Sequence, residues 1–175
     1  MQPPLVLTVI GADRPGLVEK LAQAIATHGG NWLESRMCRL GGQFAGIVRI
    51  FVPADRRAAL TTALDRLGPQ GLEVAVYADD GSPLAAGPTL AHLELVGQDR
   101  PGIVRQVAAA LAARGVNVED LATECASAPM SGETLFKATA RLRLPEDCDL
   151  AGLQQDLERI AADLLVEIHL ETVRN

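Results

Sequence analysis

Six residues occur twice in the chain, GADRPG from Gly11 to Gly16 and GQDRPG from Gly97 to Gly102. Each set follows an apolar run and precedes an alanine-rich stretch. Asp, Arg, Pro and Gly in that order suit a helix start, where the first backbone N–H groups lack intrahelical partners. Unpaired N–H groups, together with the positive end of the helix dipole, hold a small anion such as a carboxylate. The side chain of Asp13 or Asp99 then takes an ammonium group. A free amino acid carries both charges. Gly11 and Gly97 read as tight-turn residues. Gly16 and Gly102 read as first-turn glycines, which lower helix propensity and leave bare backbone for a ligand to approach. The same residues also make an ordinary capping turn, with Asp accepting from free N–H groups and Pro in the first turn. Arg14 and Arg100 are then solvated charges. Duplication favours neither reading, since copying preserves caps as well as sites.

Other chemistry is poorly supported. The G-x-x-x-x-G spacing resembles a phosphate loop, but Leu17-Val18 and Ile103-Val104 stand where Lys and Ser/Thr are required. The histidines His28, His92 and His169 neither repeat between the copies nor sit at metal-ligand spacing. No cysteine has an obvious nucleophile setting, and Ser35 has no visible partner. The reading is therefore non-catalytic, with no metal and no cofactor.

The elements that position these loops come from a repeat. Residues 11–32 over residues 97–118 give eleven identities in 22 positions. Each copy opens with an apolar strand, PLVLTVIG or LAHLELVG. A helix follows the loop, with apolar residues at Leu17, Val18, Leu21, Ala24 and Ile25, and at Ile103, Val104, Val107, Ala110 and Leu111. That spacing paints one helical face. Gly29-Gly30 and Gly115 stop the helices, and second strands begin at Asn31 and Asn117. In TLFKATARLRLP, strict alternation from Phe136 to Leu144 predicts a strand with one buried face. Pro53 and Pro145 end that third strand in each copy. Second helices are read at about 54–67 and 149–162, then last strands LEVAVYA and LLVEIHLET.

Each copy is thus βαββαβ, and the fold class is α+β: two ferredoxin-like domains, each a four-stranded antiparallel sheet with two helices on one face. The boundaries read as domain 1 over 1–78, a linker over 79–89 and domain 2 over 90–175. The hairpin between strands two and three is short at Gly41-Gly42 and longer around ASAPMSGE (126–133). From Asn to the strand-ending Pro, copy two is six residues longer.

Composition narrows the function. Hydrophobic residues make up 48% and aromatics 3%, so the cores are aliphatic. No apolar run approaches a membrane span of about 20 residues, and the first residues lack a signal-peptide pattern. Three scattered cysteines without a C-x-x-C fit reduced thiols in a cytoplasm. The formal net charge is -6, all of it in the second half, where eight Lys/Arg face fourteen Asp/Glu. Neither half has the basic excess of a direct nucleic-acid binder.

The pattern of apolar strand, G-x-D-R-P-G, [LIV]-V, alanine-rich helix, G-x-N and second strand resembles the ACT domain. Two copies with little else resemble the glycine cleavage system transcriptional repressor family of tandem ACT proteins. The resemblance implies amino-acid binding between two ACT units, near the first loop of one and the second strand of its neighbour. It points to Asp13, Gly16 and Leu17 with Asn31, and to Asp99, Gly102 and Ile103 with Asn117. It implies action through a protein partner rather than on DNA directly. The longer second hairpin, the acidic bias and Ala12 against Gln98 mark divergence between the halves. The sequence reading is a cytoplasmic regulator sensing a small amino acid, glycine or serine first, and a homodimer remains open. A ligand-independent scaffold and a regulatory subunit of a metabolic enzyme are its rivals.

Overall fold

The computed structural model of the protein describes residues 3–79, 81, 89–127 and 134–173. Contacts divide the chain into two compact units, Met1–Ser82 and Pro83–Asn175. The first is β1 (Leu5–Ala12), α1 (Leu17–Thr27), β2 (Asn31–Leu40), β3 (Gln43–Phe51), α2 (Ala54–Asp65) and β4 (Glu73–Ala78). The second is β5 (Thr89–Gln98), α3 (Ile103–Ala113), β6 (Asn117–Ser127), β7 (Thr134–Leu144), α4 (Leu150–Leu164) and β8 (Val166–Val173). The sheets run β2-β3-β1-β4 and β6-β7-β5-β8, with every pairing antiparallel. The α+β class and the two βαββαβ repeats are as the periodicity predicts. Most of the 79–89 linker and residues 128–133 of the long hairpin lie outside the described residues.

Alternation places one sheet face in each core. Leu5, Leu7 and Val9 of β1 are buried with Val48, Ile50 and Val52. Their counterparts are Ala91, Leu93 and Leu95 with Ala140, Leu142 and Leu144. Leu17, Leu21 and Ile25 of α1 close the first core, and Ile103, Val107 and Leu111 of α3 the second. Among the described residues no polar or charged side chain is buried in either unit. Glycines in the left-handed region, Gly29 at φ 69° and Gly115 at φ 67°, stop α1 and α3.

The second helices differ slightly from the sequence reading. α2 ends at Asp65, and Leu67 turns into a short 3-10 segment at Gly68–Gln70 while staying buried. α4 begins at Leu150 because Asp149 caps it, its carboxylate accepting from the Gly152 N–H at 3.0 Å. It ends on Leu165, whose φ of 55° is a left-handed conformation carried by a non-glycine. β2 and β6 share a bulge, after Trp32 and after Val118, so both edge strands shift register at the same place.

The two outer sheet faces diverge. In the first unit Ile10 is 48%, Ile47 55% and Tyr77 55% exposed, all on the face away from the helices. In the second unit that face carries Lys137, Arg141 and Arg143 of β7 between acidic neighbours. Among the described residues no helix is long and apolar enough to cross a membrane.

Candidate functional site

The two D-R-P-G loops join β1 to α1 and β5 to α3. Gly11 and Gly97 are strand residues, not turn residues. A Cβ on Gly11 would stand 2.1 Å from the Gly71 carbonyl oxygen, and one on Gly97 would stand 2.4 Å from Val166 Cγ1. These glycines are there for close approach to the chain entering the last strand. Gly16 and Gly102 are not in the first helical turn either. They are the N-caps of α1 and α3, at φ 90° and 96°. An L side chain is disfavoured in that region, and that is the physical reason for glycine.

Asp13 and Asp99 do not cap their helices, because neither α1 nor α3 has a side-chain cap hydrogen bond. Each aspartate instead ties the loop to the neighbouring hairpin through its backbone. The Asp13 N–H donates to the Gly42 carbonyl at 2.9 Å, and the Asp99 N–H to the Thr134 carbonyl at 3.0 Å. The carboxylates are therefore free for other partners. Asp13 has one in Arg39, whose Nε lies 2.5 Å from Asp13 Oδ2. The corresponding position on β6 is Cys125, since Arg39 stands opposite Phe44 and Cys125 opposite Phe136. Among the described residues Asp99 has no ion pair. Nothing in the loop itself signals Arg39. Only the register of the hairpin brings it there.

The N-terminal N–H groups of both helices lack side-chain acceptors, as an anion site requires. The Leu17 and Ile103 side chains are core residues, 3% and 2% exposed, so what they offer a ligand at the loop is backbone. The arginines part company. The Arg14 guanidinium lies over Gly71, where an added Cβ would meet Arg14 Nη2 at 2.9 Å. In the second unit Leu165 precedes the last strand where Gly71 does in the first, and Arg100 instead donates to Gln98 Oε1 at 3.2 Å.

Asn31 and Asn117 are exposed and open β2 and β6, paired with Phe51 and Arg143. Because β2 runs parallel to β1, Asn31 sits at the opposite end of the sheet from Asp13. Eight strand residues separate the two ends, a distance of about 25 Å at roughly 3.3 Å per residue. Within one unit, Asp13, Gly16 and Leu17 are together and Asn31 is apart; the same holds for Asp99, Gly102 and Ile103 against Asn117.

The strongest electrostatic clusters lie outside the loops. Glu119, at the β6 bulge, faces Arg143 Nε at 2.5 Å and Arg141 Nε at 3.2 Å. The hydrogen bond from Arg143 holds its carboxyl below the ordinary value of 4.5, against the opposing effect of burial. Arg114, just past α3, braces α4 through Asp156 at 2.7 Å and Asp149 at 2.9 Å. The Gly152 N–H, then Arg114, lowers the Asp149 carboxyl. These are structural braces on charged surfaces. Among the described residues no cluster of His, Cys, Asp and Glu suits a metal ion.

Comparison with known proteins agrees with this architecture. Two ACT domain models match the chain, over residues 3–77 and over residues 91–137. The glycine cleavage system transcriptional repressor of Escherichia coli is 22% identical over 161 residues, covering 91% of this chain and 85% of that protein. Phosphoserine phosphatase SerB2 of Mycobacterium tuberculosis is 28% identical over 171 residues. The chain spans 40% of that phosphatase's length. A protein of unknown function from Galdieria sulphuraria superposes with a TM-score of 0.87 and 31% identity, over 99% of this chain and 100% of its own. A structure provisionally assigned as a glycine cleavage system transcriptional repressor gives a TM-score of 0.72 over 100% of this chain and 99% of its own, and at 20% identity it shows the fold alone. Repeat, topology and matched models agree, and the chain belongs to the ACT domain family, with two ACT domains in tandem.

Proposed function

We propose that the protein is a non-catalytic, cytoplasmic regulator that binds a small free amino acid at its D-R-P-G loops and passes that state to a protein partner. The single observation that carries this reading is the glycine N-cap of α1 and α3. Both helix starts leave their N–H groups without side-chain acceptors, next to an aspartate that is not spent on capping. Carboxylate and ammonium groups of one ligand match those two features. The ACT domains and the relationship to the repressor support the regulatory role. Glycine cleavage is the process that this relationship suggests. Within each unit the loop residues, and not Asn31 or Asn117, are the ones grouped for such a ligand. A ligand at a loop shifts the protein between states only through its different affinity for each.

The test is a thermal-shift screen against the twenty amino acids, followed by calorimetry. A ligand at 100 times its dissociation constant adds about 2.7 kcal/mol of stability. Selective stabilisation that disappears in Asp99→Ala supports the sensor; a flat screen up to millimolar concentration rejects it. One observation favours a second reading, a self-associating scaffold. The exposed Ile10, Ile47 and Tyr77 share one sheet face of the first unit, and such a face is a contact surface for a homodimer.

A further inference from the structure

The two units present the same outer sheet face with opposite chemistry. Register matches the positions one to one. Val6 stands opposite Arg49 and Tyr77, as His92 stands opposite Arg141 and Glu171. On that correspondence the first unit has Val6 for His92, Ala45 for Lys137, Ile47 for Thr139, Phe51 for Arg143, Ala75 for His169 and Tyr77 for Glu171. The second face matches charges within itself, Lys137 with Glu124 and Arg141 with Glu119, and is suited to water. The first leaves Ile47 and Tyr77 each 55% and Ile10 48% exposed. One backbone carries either surface, so the apolar one is not a requirement of the fold. A contiguous apolar patch of this kind marks a contact surface.

Shape and area select the occupant. The face has four strands, and β1 is eight residues long. At about 4.8 Å between strands and roughly 3.3 Å per residue it spans about 400–500 Å². A helix, about 10 Å wide with its side chains, covers half of that width. A second four-stranded sheet covers all of it, and two such faces together bury about 1,000 Å², where specific interfaces begin. Identical sheets share one twist and pack aligned, about 10 Å apart. The side chains then choose the symmetry. They form rows across the strands, with Arg36, Ile47, Thr8 and Ala75 in one and Cys38, Ala45, Ile10 and Glu73 in the next. A two-fold axis along the strands lays β3 on the partner's β1 and β2 on the partner's β4. Ile47 then meets the partner's Thr8, and Ala45 meets the partner's Ile10, a small side chain against a larger one each time. The Arg36 edge meets the edge that carries the partner's Glu73. A two-fold axis across the strands instead stacks each strand on its own copy, with like charges together at both edges.

Resting on the self-association reading of this face, we propose that a second copy of the chain covers it. The first ACT domains of two copies pack sheet on sheet about a two-fold axis that runs along β1 and β3, with Arg36 beside the partner's Glu73. The outer face of the second domain stays in water.

The experiment is sedimentation equilibrium on the full chain, with circular dichroism to check folding. It compares wild type with Ile47→Glu, with Thr139→Glu at the matching position of the second domain, and with Arg36→Glu, Glu73→Arg and the two reversals combined. Tyr77→Ser, which only removes an exposed ring, serves if Ile47→Glu disturbs folding. The expected result is a wild-type dimer whose dissociation constant rises about tenfold or more in Ile47→Glu and is unchanged in Thr139→Glu. Each charge reversal weakens the dimer, and the combination restores it. A dimer weakened by Ile47→Glu but not restored by the combined reversals overturns the two-fold assignment and leaves the association face standing. A wild-type monomer at all concentrations overturns both. A dimer weakened by Thr139→Glu and not by Ile47→Glu also overturns both.

Discussion

At the scale of single residues, the D-R-P-G loop carries different duties from those its composition suggests. Its glycines answer two separate demands, close approach at Gly11 and Gly97 and left-handed backbone at Gly16 and Gly102. They predict different costs. Nothing lies within 4 Å of a Cβ at Gly102, so Gly102→Ala meets only the backbone penalty, a loss of about 1–2 kcal/mol in urea unfolding. Gly11→Ala drives a carbon onto backbone and destabilises more than that. The aspartates separate as well. Asp13→Ala breaks an exposed pair with Arg39 and costs about 0.2–1 kcal/mol. Asp99→Ala leaves stability within about 0.5 kcal/mol and weakens ligand binding about tenfold or more, the loss of one charge-assisted hydrogen bond. Equal effects of the two substitutions on binding, measured by calorimetry, reject that asymmetry. Glu119 sets an acid limit. Its carboxyl is lowered in the folded state, so its contribution is fully present above 4.5 and is lost as pH falls through the folded value. Glu119→Gln therefore flattens the decline of Tm on the acid side, and an unchanged acid profile removes Glu119 from the account.

At the scale of elements, α1 and α3 are legible from their apolar spacing, and β7 from its alternation. The ends are less so, because caps are local geometry. α4 starts one residue late on Asp149 and runs on to Leu164, past the predicted end at 162. There the chain turns on a left-handed leucine that is 67% exposed. The first unit places Gly71, at φ 83°, before its last strand. Leu165→Gly removes strain and little packing, and is expected to stabilise the protein by about 1 kcal/mol. A lower Tm for that variant contradicts the assignment of strain. The shared bulge in β2 and β6 was invisible in sequence, since no residue type marks it. Yet it decides that Trp32, Met37 and Arg39, with Val118, Thr123 and Cys125, face the helices.

At the scale of the whole molecule, two copies of one fold have kept the buried faces of their central strands and first helices and changed their edge strands and outer faces. The first domain has Trp32 packed on its core and an apolar outer sheet face. The second has exposed Val118 and Leu121 beside α3 and a charged outer face. The apolar outer face of the first domain is the surface on which the proposed scaffold reading rests. Ile47→Glu places a charge in the centre of the apolar face and, as that face predicts, lowers any self-association in sedimentation while leaving Tm nearly unchanged. A monomer in wild type at all concentrations withdraws the association surface.

The amino-acid sequence by itself determined the duplication, the α+β class, the order of elements and the two loops. Those features are periodic or repeated along the chain, and periodicity survives translation into structure. It also placed Asp13, Gly16 and Leu17 together, because they are neighbours in the chain. Tertiary structure alone decided that Asn31 stands at the far end of its sheet, that Arg39 reaches Asp13, and that Trp32 packs on its core while Val118, at the same register, stays exposed. Each of those depends on strand register and on a bulge, which join residues far apart in sequence through backbone hydrogen bonds that any side chain can make.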